Sequence, residues 1–518
     1  MAEQTSTIAT APKMGFWKRN WKVCVYCFIA SFAATAFGFD QGTGGGFLAM
    51  QQWLKDFGYY DSEEGVYSIT AGSTTAMNGT LCGSAFLAAL ASGRIGSQFG
   101  RKIGLILCGA AGLIGSGISM IPHYGALIVG KVFIGISMGF AGNFAITYWS
   151  ETAPAQIRGL IVIMYQFNIN LPNFIGACVD QGTYLRTDRW SYRIPLFVTM
   201  FPPLVLVTLV WLIPESPRWL VTRDKYSEAR TSLVKIRGKY ARDDELDAEM
   251  KEVIAFTELE RSLDASTSYR ECFSGTNRRR TLIGMLCMGG QHMQGIAFIS
   301  GYSTYFFSLI GFNDAFVITV IINACQVAAV IFAFIAVRFI GRRILLIVGA
   351  GVCAASMFLF AIVAQAAPGS DAANKCIVAF ICIYVFSFAA TWGSIGPIVT
   401  GEVPSNRLRS KTVSCALSTN WFGALLVITS IPYLINKDYA NLGTKVGFIF
   451  GPLATIVFVL AIFFLPETKD RSLEEIDEMF INRVSTRKFK SYICTKEAAG
   501  VDIMGKAGVI EVEDVKKV

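Results

Sequence analysis

Of the 518 residues, 53% are hydrophobic and 16% are charged, and the mean hydropathy is +0.47. These values are typical of polytopic membrane proteins and exclude most soluble enzymes. The net charge of +9 does not indicate a nucleic-acid partner, because the basic residues cluster between apolar runs, as in the loops of membrane proteins. Two histidines and thirteen scattered cysteines lack metal-ligand spacing, so no metal site is expected.

Apolar windows of about 20 residues predict an all-α membrane protein with twelve transmembrane helices. The predicted helices span 22–48, 66–92, 103–121, 124–149, 158–180, 192–213, 280–309, 314–337, 343–366, 376–401, 411–435 and 444–465. The polar and basic residues 1–21 lack the features of a cleavable signal, so the first helix is expected to be retained. Five segments follow: an N-terminal segment over 1–21, a six-helix bundle over 22–213, a linker over 214–279, a second bundle over 280–465 and a tail over 466–518.

The first predicted helix carries an acid, Asp40, with no other charge between Lys22 and Lys55. A carboxylate at the centre of a membrane helix costs roughly 2.5–3.5 kcal/mol on insertion scales, so it needs a partner, water or a proton. The glycines at 42 and 44–46 favour close helix packing beside it. We interpret Asp40 as a proton carrier; the alternative is a structural acid that caps or bridges a neighbouring helix.

The positions of Lys and Arg predict the orientation. Basic residues precede the first helix, occupy alternate loops and fill the long linker, whereas the opposite loops carry acids such as Asp56 and Asp314. Both termini and the linker are therefore expected to be cytoplasmic, with the basic loop around Arg186 and Arg189 as an exception. Helical spacing predicts short linker helices at 226–236 and 244–263 and a tail helix at 472–480, with disorder after residue 482.

Three charged motifs occur twice, each at a predicted cytoplasmic helix end. Their duplication indicates two six-helix halves that can rock about a central site, which is the physical basis of alternating access. We interpret these charges as a cytoplasmic gate that pairs across the two halves when that side is shut; the alternative is ordinary interfacial charge. The predicted gate residues are Arg101, Glu151, Arg158, Glu215 and Arg218 in the first half and Arg342, Glu402, Arg409 and Glu467 in the second.

Two segments carry a family resemblance. They are Pro-Glu-Ser-Pro-Arg-Trp-Leu at 214–220 and Pro-Glu-Thr-Lys-Asp-Arg at 466–471. With the duplicated motifs, they make the chain resemble a sugar porter of the major facilitator superfamily from its first helix to about residue 480. Segments 301–307 and 147–151 look most similar to fungal maltose and α-glucoside permeases, with fungal hexose transporters next.

The resemblance implies a sugar site lined by amides and an aromatic ring. Sugar hydroxyls need paired donors and acceptors, and the ring faces of sugars stack on aromatic side chains. The alternative for each amide is an interhelical hydrogen bond. The implied substrate-binding residues are Gln166, Gln291, Gln326, Asn420, Trp421 and His292, the last of which replaces a family glutamine.

The resemblance also implies proton coupling through Asp40. Proton-coupled members place an arginine opposite this acid, whereas this chain has Lys131. Lysine can neutralise the acid but cannot make a bidentate bond, so the coupling is expected to differ in pH range or be lost. Other departures, including Pro397 in place of a tryptophan of glucose carriers and Ala297 in place of an asparagine, weaken a plain glucose assignment.

The implied function is a proton-coupled sugar symporter of the plasma membrane that takes up a disaccharide or α-glucoside, or a hexose. A monomer in the lipid bilayer, driven by the proton gradient and without a cofactor, is expected. The alternatives are a facilitative sugar or polyol uniporter, a sugar receptor that does not transport, and a metabolite exporter. No phosphate-binding loop and no catalytic constellation occur in the sequence, so neither an ATP-driven pump nor an enzyme is expected.

Overall fold

The computed structural model describes residues 16–62, 65–153, 158–238, 242–265, 268–312, 314–436, 438–471 and 473–492. Helices dominate these residues, and a small two-stranded hairpin is the only sheet that they contain. The predicted all-α class is therefore confirmed.

The first half begins with a long helix and a short outer segment and continues with five long helices. Its elements are α1 (Phe16–Phe47), α2 (Gln51–Phe57), β1 (Tyr59–Asp61), β2 (Val66–Ser68), α3 (Ala71–Phe99), α4 (Arg101–Ser119), α5 (Tyr124–Thr152), α6 (Arg158–Thr183) and α7 (Trp190–Leu209). Helix α1 packs against α5, α6 and α7, and α5 also packs against α3 and α4.

The linker forms three short helices and one of 23 residues, α10, and the second half resumes the long-helix pattern. The linker helices are α8 (Pro217–Thr222), α9 (Tyr226–Arg237), α10 (Asp243–Ala265) and α11 (Tyr269–Cys272). The second half comprises α12 (Gly275–Met293), α13 (Ile296–Leu309), α14 (Ala315–Phe339), α15 (Arg342–Ala366), α16 (Asp371–Phe388), α17 (Ser394–Glu402), α18 (Arg409–Ile435) and α19 (Gly447–Phe464), and it is followed by α20 (Leu473–Ile481).

The number of predicted transmembrane helices is confirmed. Ten segments of the described chain are long and apolar enough to cross a membrane. The more polar helices α3 and α6, with 29 and 26 residues, are also long enough and bring the number to twelve. Most helix ends lie within a few residues of their predicted positions.

Two predicted helices are interrupted. The seventh breaks into α12 and α13 at Gly295, whose φ of +92° is in the left-handed region that glycine tolerates. The tenth contains a π-helical turn, Ala389–Gly393, between α16 and α17. Hydropathy does not detect either break, because the wider windows around both are apolar enough to predict one uninterrupted helix.

The tail differs from its prediction. The sequence predicts disorder after residue 482, but a 3₁₀ helix, Thr486–Ser491, follows α20. Phe489 is fully buried and packs edge-to-face on Phe480, and Thr486 Oγ1 donates to the carbonyl of Phe463 at 2.8 Å. Apolar anchors in a polar segment therefore order the chain up to Tyr492. Residue 472, the predicted first residue of the tail helix, lies outside the described residues.

We call the side that carries the linker helices and α20 the linker face, and the other side the opposite face. At the opposite face the two halves touch: Asn78 Nδ2 donates to the hydroxyl of Tyr302 at 2.8 Å, and Tyr184 stacks on Phe316 with ring centroids 4.3 Å apart. At the linker face a cavity of about 570 Å³ lies between α3, α5 and α18. The halves are thus closed at the opposite face, and at the linker face a cavity separates α3 and α5 from α18 while α6 stays packed on α14.

The basic loop that departs from the orientation pattern is partly neutralised. Arg186 pairs with Asp188 at 3.0 Å, and Arg189 pairs with Asp56 at 3.1 Å. Tyr192 also donates to Asp56, at 2.7 Å. These acids at the opposite face offset the positive charge of the loop.

Candidate functional site

Asp40 and Lys131 form a buried ion pair between α1 and α5. The Lys131 Nζ to Asp40 Oδ1 distance is 3.1 Å, and the two side chains are 4% and 7% exposed respectively. Glycines let helix α1 approach α6 closely. A Cβ added to Gly38 or Gly42 would lie only 2.2 or 2.3 Å, respectively, from a backbone carbonyl oxygen of α6. The predicted partner of the acid is therefore in place. Two opposite charges in so dry a site stabilise each other, and removing one would leave the other unpaired.

An apolar plug separates this ion pair from the linker-face cavity. The plug consists of Phe37, Leu81, Ala85, Ile134, Met138 and Trp421. Phe37 precedes Asp40 by one turn on α1, and Ile134 follows Lys131 by one turn on α5, so both lie on the linker side of the pair. Trp421 lines the cavity and packs on Phe37 with ring centroids 6.3 Å apart, whereas neither Asp40 nor Lys131 lines it. Asp40 therefore does not reach the cavity directly in this conformation.

Helix α6 presents a polar stripe toward the second half. Gln166, Asn170 and Asn173 follow one another at spacings of four and three residues, which places them on one helical face. Asn173 Nδ2 donates to Oε1 of Gln326 on α14 at 3.3 Å, across the two halves. A Cβ on Gly393 would lie 3.5 Å from Nε2 of Gln166, so this predicted amide also faces the second half.

The predicted site residues of α12 and α18 lie close together. Asn420 Nδ2 donates to the carbonyl of Met288 at 3.0 Å, and Gln291 Nε2 donates to the carbonyl of Trp392 at 3.3 Å. The ring of His292 lies 3.3 Å from where a Cβ of Gly423 would be. In this conformation the amides of Asn420 and Gln291 therefore bond to backbone carbonyls of the protein. This is the alternative that the sequence left open for each amide.

A charge cluster at the linker face fixes the start of α4. Arg101 binds Glu151 with both Nε and Nη2, at 2.9 and 2.7 Å. Glu215 accepts from the backbone N–H groups of Arg101 and Lys102 at 3.0 and 3.1 Å, and so caps the positive end of the helix. Burial raises the pKa of the Glu215 carboxyl, and the backbone donors partly oppose that rise.

The second half repeats this cluster at the start of α15. Arg342 meets Glu402 at 3.4 Å, and Glu467 accepts from the backbone N–H groups of Arg342 and Arg343 at 2.9 and 3.3 Å. A Cβ on Gly100 would lie 2.3 Å from Glu215 Oε2, and one on Gly341 would lie 2.1 Å from Glu467 Oε2. Both caps therefore need a glycine before the helix.

The described gate pairs form inside each half. The linker face is open here, so the prediction that these charges pair across the halves when that face is shut stays a prediction. Arg218 and Arg409 lie near the starts of α8 and α18. Arg158 opens α6, but its side chain lies outside the described part of the chain.

Three structural features of this region are absent from the predicted site. The bond from Asn173 to Gln326 could have been suspected, because Asn173 extends the polar stripe of Gln166 at helical spacing. The π-helical turn that carries Trp392 has no sequence signal. Tyr302, which donates to the carbonyl of Ile428 at 3.0 Å while it accepts from Asn78, lies in a segment that contributed only to the family resemblance.

Two six-helix halves, a duplicated charge cluster and a polar centre between the halves define a transporter of the major facilitator type. The family described as Sugar (and other) transporter matches residues 26–480, and the chain belongs to this family. It is a multi-pass membrane transporter and not an enzyme.

Similar proteins span the whole fold. The major facilitator-type transporter ecdD of Aspergillus rugulosus is 34% identical over 484 residues, which cover 90% of this chain and 89% of that protein. Hexose transporter 2 of Kluyveromyces lactis is 28% identical, over 93% of this chain and 87% of that protein. The solved proton:xylose symporter XylE superposes with a TM-score of 0.74 at 22% identity, over 89% of this chain and 100% of that chain.

Proposed function

We propose that this protein is a proton-coupled sugar symporter that works by alternating access between its two halves. The observation that carries the proposal is the buried pair of Asp40 and Lys131, an ionisable pair inside a membrane bundle. Ionisable residues at such depth are expensive and are typical of proton pathways in transporters. The proton gradient is the driving force, and no cofactor is required.

The proton acts on the ion pair. When the opposite face is open, a proton from that side binds Asp40, which cancels its charge and weakens its attraction for Lys131. The halves then rock, the linker face opens, and the proton leaves toward that side. The ion pair in the linker-open conformation agrees with an acid that has already released its proton. The apolar plug lies on the exit route, so release requires Phe37 and Trp421 to move apart.

The amides between the halves hold the sugar. Gln166, Gln291, Gln326 and Asn420 offer donors and acceptors from both halves, and Trp421 offers an aromatic face at the cavity. Sugar binding would exchange the present bonds of these amides for bonds to hydroxyls, and it would draw the halves together. Relatives named as hexose and galactose transporters support a hexose as the substrate. The departures of this sequence from glucose carriers support a disaccharide or α-glucoside instead, so such sugars are included in the test below.

The linker face is the cytoplasmic side in this proposal, and the membrane is the plasma membrane. The clustering of Lys and Arg at the linker face supports this orientation. One chain contains both halves and the complete set of site residues, which supports a monomer as the transporting unit.

Uptake of labelled glucose, maltose and sucrose into transporter-null yeast, with and without an uncoupler, tests the proposal. We expect concentrative uptake of one of these sugars that stops when the uncoupler is added. Full uptake that ignores the uncoupler would replace symport with facilitated diffusion. Sugar binding without uptake would indicate a receptor. Export of a metabolite in place of sugar uptake would indicate an exporter.

A further inference from the structure

A second acid is buried in the first half, away from the ion pair. Asp180 on α6 is 1% exposed, and neither of its carboxylate oxygens has a hydrogen-bond partner among the described residues. Its carboxyl lies directly over helix α1, because a Cβ on Gly46 would be 2.0 Å from Asp180 Oδ2. A carboxylate buried without a donor or a cation is very costly, so the group holds a proton in this conformation.

Asp180 lies at the seam between the halves. Asn173 and Asp180 are seven residues apart on one face of α6, and Tyr184 follows the end of that helix, where its N–H donates to the carbonyl of Asp180 at 2.9 Å. Asn173 bonds to Gln326 of α14, and Tyr184 stacks on Phe316 of the same helix. In the chain, Asp180 therefore lies between two residues that contact the second half. Separation of α6 from α14 at the opposite face would admit water to the carboxyl.

No charged neighbour accounts for the buried acid. Other titratable groups on the elements packed against α6 have their own partners or positions: Asp40 and Lys131 pair together, Tyr192 donates to Asp56, Glu402 pairs with Arg342, Arg193 lies near Tyr192, and Asp314 occupies the N-cap position of α14 without a side-chain capping bond. Among the described residues none of them forms an ion pair or hydrogen bond with Asp180. Asp180 is also absent from the lining of the linker-face cavity.

We propose that Asp180 is a second proton-binding site, which is neutral while the opposite face is closed and ionised while that face is open. Protonation from the opposite side then favours closure of that face, and the proton returns to the same side when the face reopens. Asp180 therefore sets how closure depends on outer pH and does not contribute to the number of protons transported. The inference rests on the alternating-access part of the proposed function and is independent of Asp40.

Sugar exchange in proteoliposomes that contain the full chain tests this inference. The outer pH is varied from about 5 to about 8, a range in which exposed carboxylates are ionised, with the inner pH fixed. Asp40→Asn is introduced throughout, so that the first acid cannot titrate. We expect exchange by this variant to slow several-fold as the outer pH rises, and the added Asp180→Asn change to abolish that dependence. Asp188→Asn, an exposed acid in the loop that follows α6, is the matched control and should keep it.

An Asp40→Asn profile that is already flat would overturn the inference, as would one that Asp180→Asn leaves unchanged. Infrared spectra of the reconstituted protein provide a readout that needs no transport. The carbonyl band of a protonated carboxyl should persist at neutral pH in wild type, Asp40→Asn and Asp188→Asn, and should be lost in Asp180→Asn. A wild type without this band, or an unchanged band in Asp180→Asn, would contradict the proposal. Loss of accumulation in Asp40→Asn alone concerns the proposed symport and not this site.

Discussion

The two halves share the charge clusters at the linker face, but the centres of their helix bundles differ. Each cluster consists of an arginine paired with an acid and a second acid that caps a helix start. In the centre, the first half has the ion pair of Asp40 and Lys131. In the described residues of the second half, every ion pair lies at the linker face, and the centre carries amides.

This difference separates the features that stabilise both halves from the features that we propose bind the proton and the sugar. The duplicated clusters fix helix starts in both halves. The features that are not duplicated are the ionisable pair in the first half and the amides Gln291 and Asn420 in the second. Such an arrangement fits a division of labour, in which the first half handles the proton and the second half contributes most of the sugar contacts.

The largest effect is expected from Lys131→Ala. This change leaves Asp40 buried without its partner, and breaking a buried pair costs roughly 3–5 kcal/mol. We expect uptake and most of the folded protein to be lost, as measured by transport assays and by thermal unfolding in detergent. Lys131→Arg keeps the charge and should retain folded protein. Wild-type stability and uptake in Lys131→Ala would remove the ion pair from the mechanism.

The second prediction compares alanine substitutions at the two glycines that precede the capped helices α4 and α15. Gly100→Ala and Gly341→Ala both push a Cβ into the capping acid, but only Gly100 has a positive φ, of +95°. With a ψ of 174° as well, Gly100 has a backbone conformation that is essentially restricted to glycine and adds about 1–3 kcal/mol for a residue with a Cβ, so Gly100→Ala should lower the unfolding temperature more. Gly117→Ala on α4, where a Cβ meets no atom within 4 Å, is the control. Equal losses in the two caps would contradict this difference.

The amides provide the third comparison. Gln291→Ala removes donors and an acceptor from the proposed sugar site, and the loss of about 1.4 kcal/mol would raise the half-saturating sugar concentration about tenfold. Accumulation at saturating sugar should be unchanged, because the proposed proton carrier, Asp40, lies in the other half. Gln365→Ala, at an exposed amide outside the site, should have no effect. A change in accumulation with unchanged affinity would argue against the division between the halves.

The smallest effect concerns the paired arginines. Arg101 binds Glu151 through two nitrogens, whereas Arg342 meets Glu402 through one contact of 3.4 Å. Lysine cannot make the two-pronged contact, so Arg101→Lys should cost about 1 kcal/mol of stability and Arg342→Lys less. Thermal unfolding of the two variants measures the difference. A greater loss in Arg342→Lys would mean that the second cluster is the tighter one.

Local sequence patterns predicted the fold and part of the site. Hydropathy located the twelve helices, because each must match the thickness of the membrane. The cost of a buried charge identified Asp40, and the family resemblance supplied Lys131 as its partner. Hydropathy did not locate the breaks at Gly295 and Ala389–Gly393, because each lies within a window that is apolar enough to span the membrane as one helix.

Contacts between segments that are far apart in the sequence could not be predicted either. Asp180 is an ordinary acid in the sequence, near the end of a predicted helix, and only the placement of Gly46 against it shows how deeply it is buried. The apolar plug combines residues of α1, α3, α5 and α18, so no local pattern reveals it. The cross-half gate pairs belong to a conformation with the linker face shut and remain a prediction.

Sugar accumulation in proteoliposomes under an imposed proton gradient is the most direct test of proton coupling through Asp40. Wild-type protein should concentrate the sugar above its outer level, whereas Asp40→Asn should only equilibrate it while continuing to exchange labelled for unlabelled sugar. Accumulation by Asp40→Asn to the wild-type level would show that another group carries the proton.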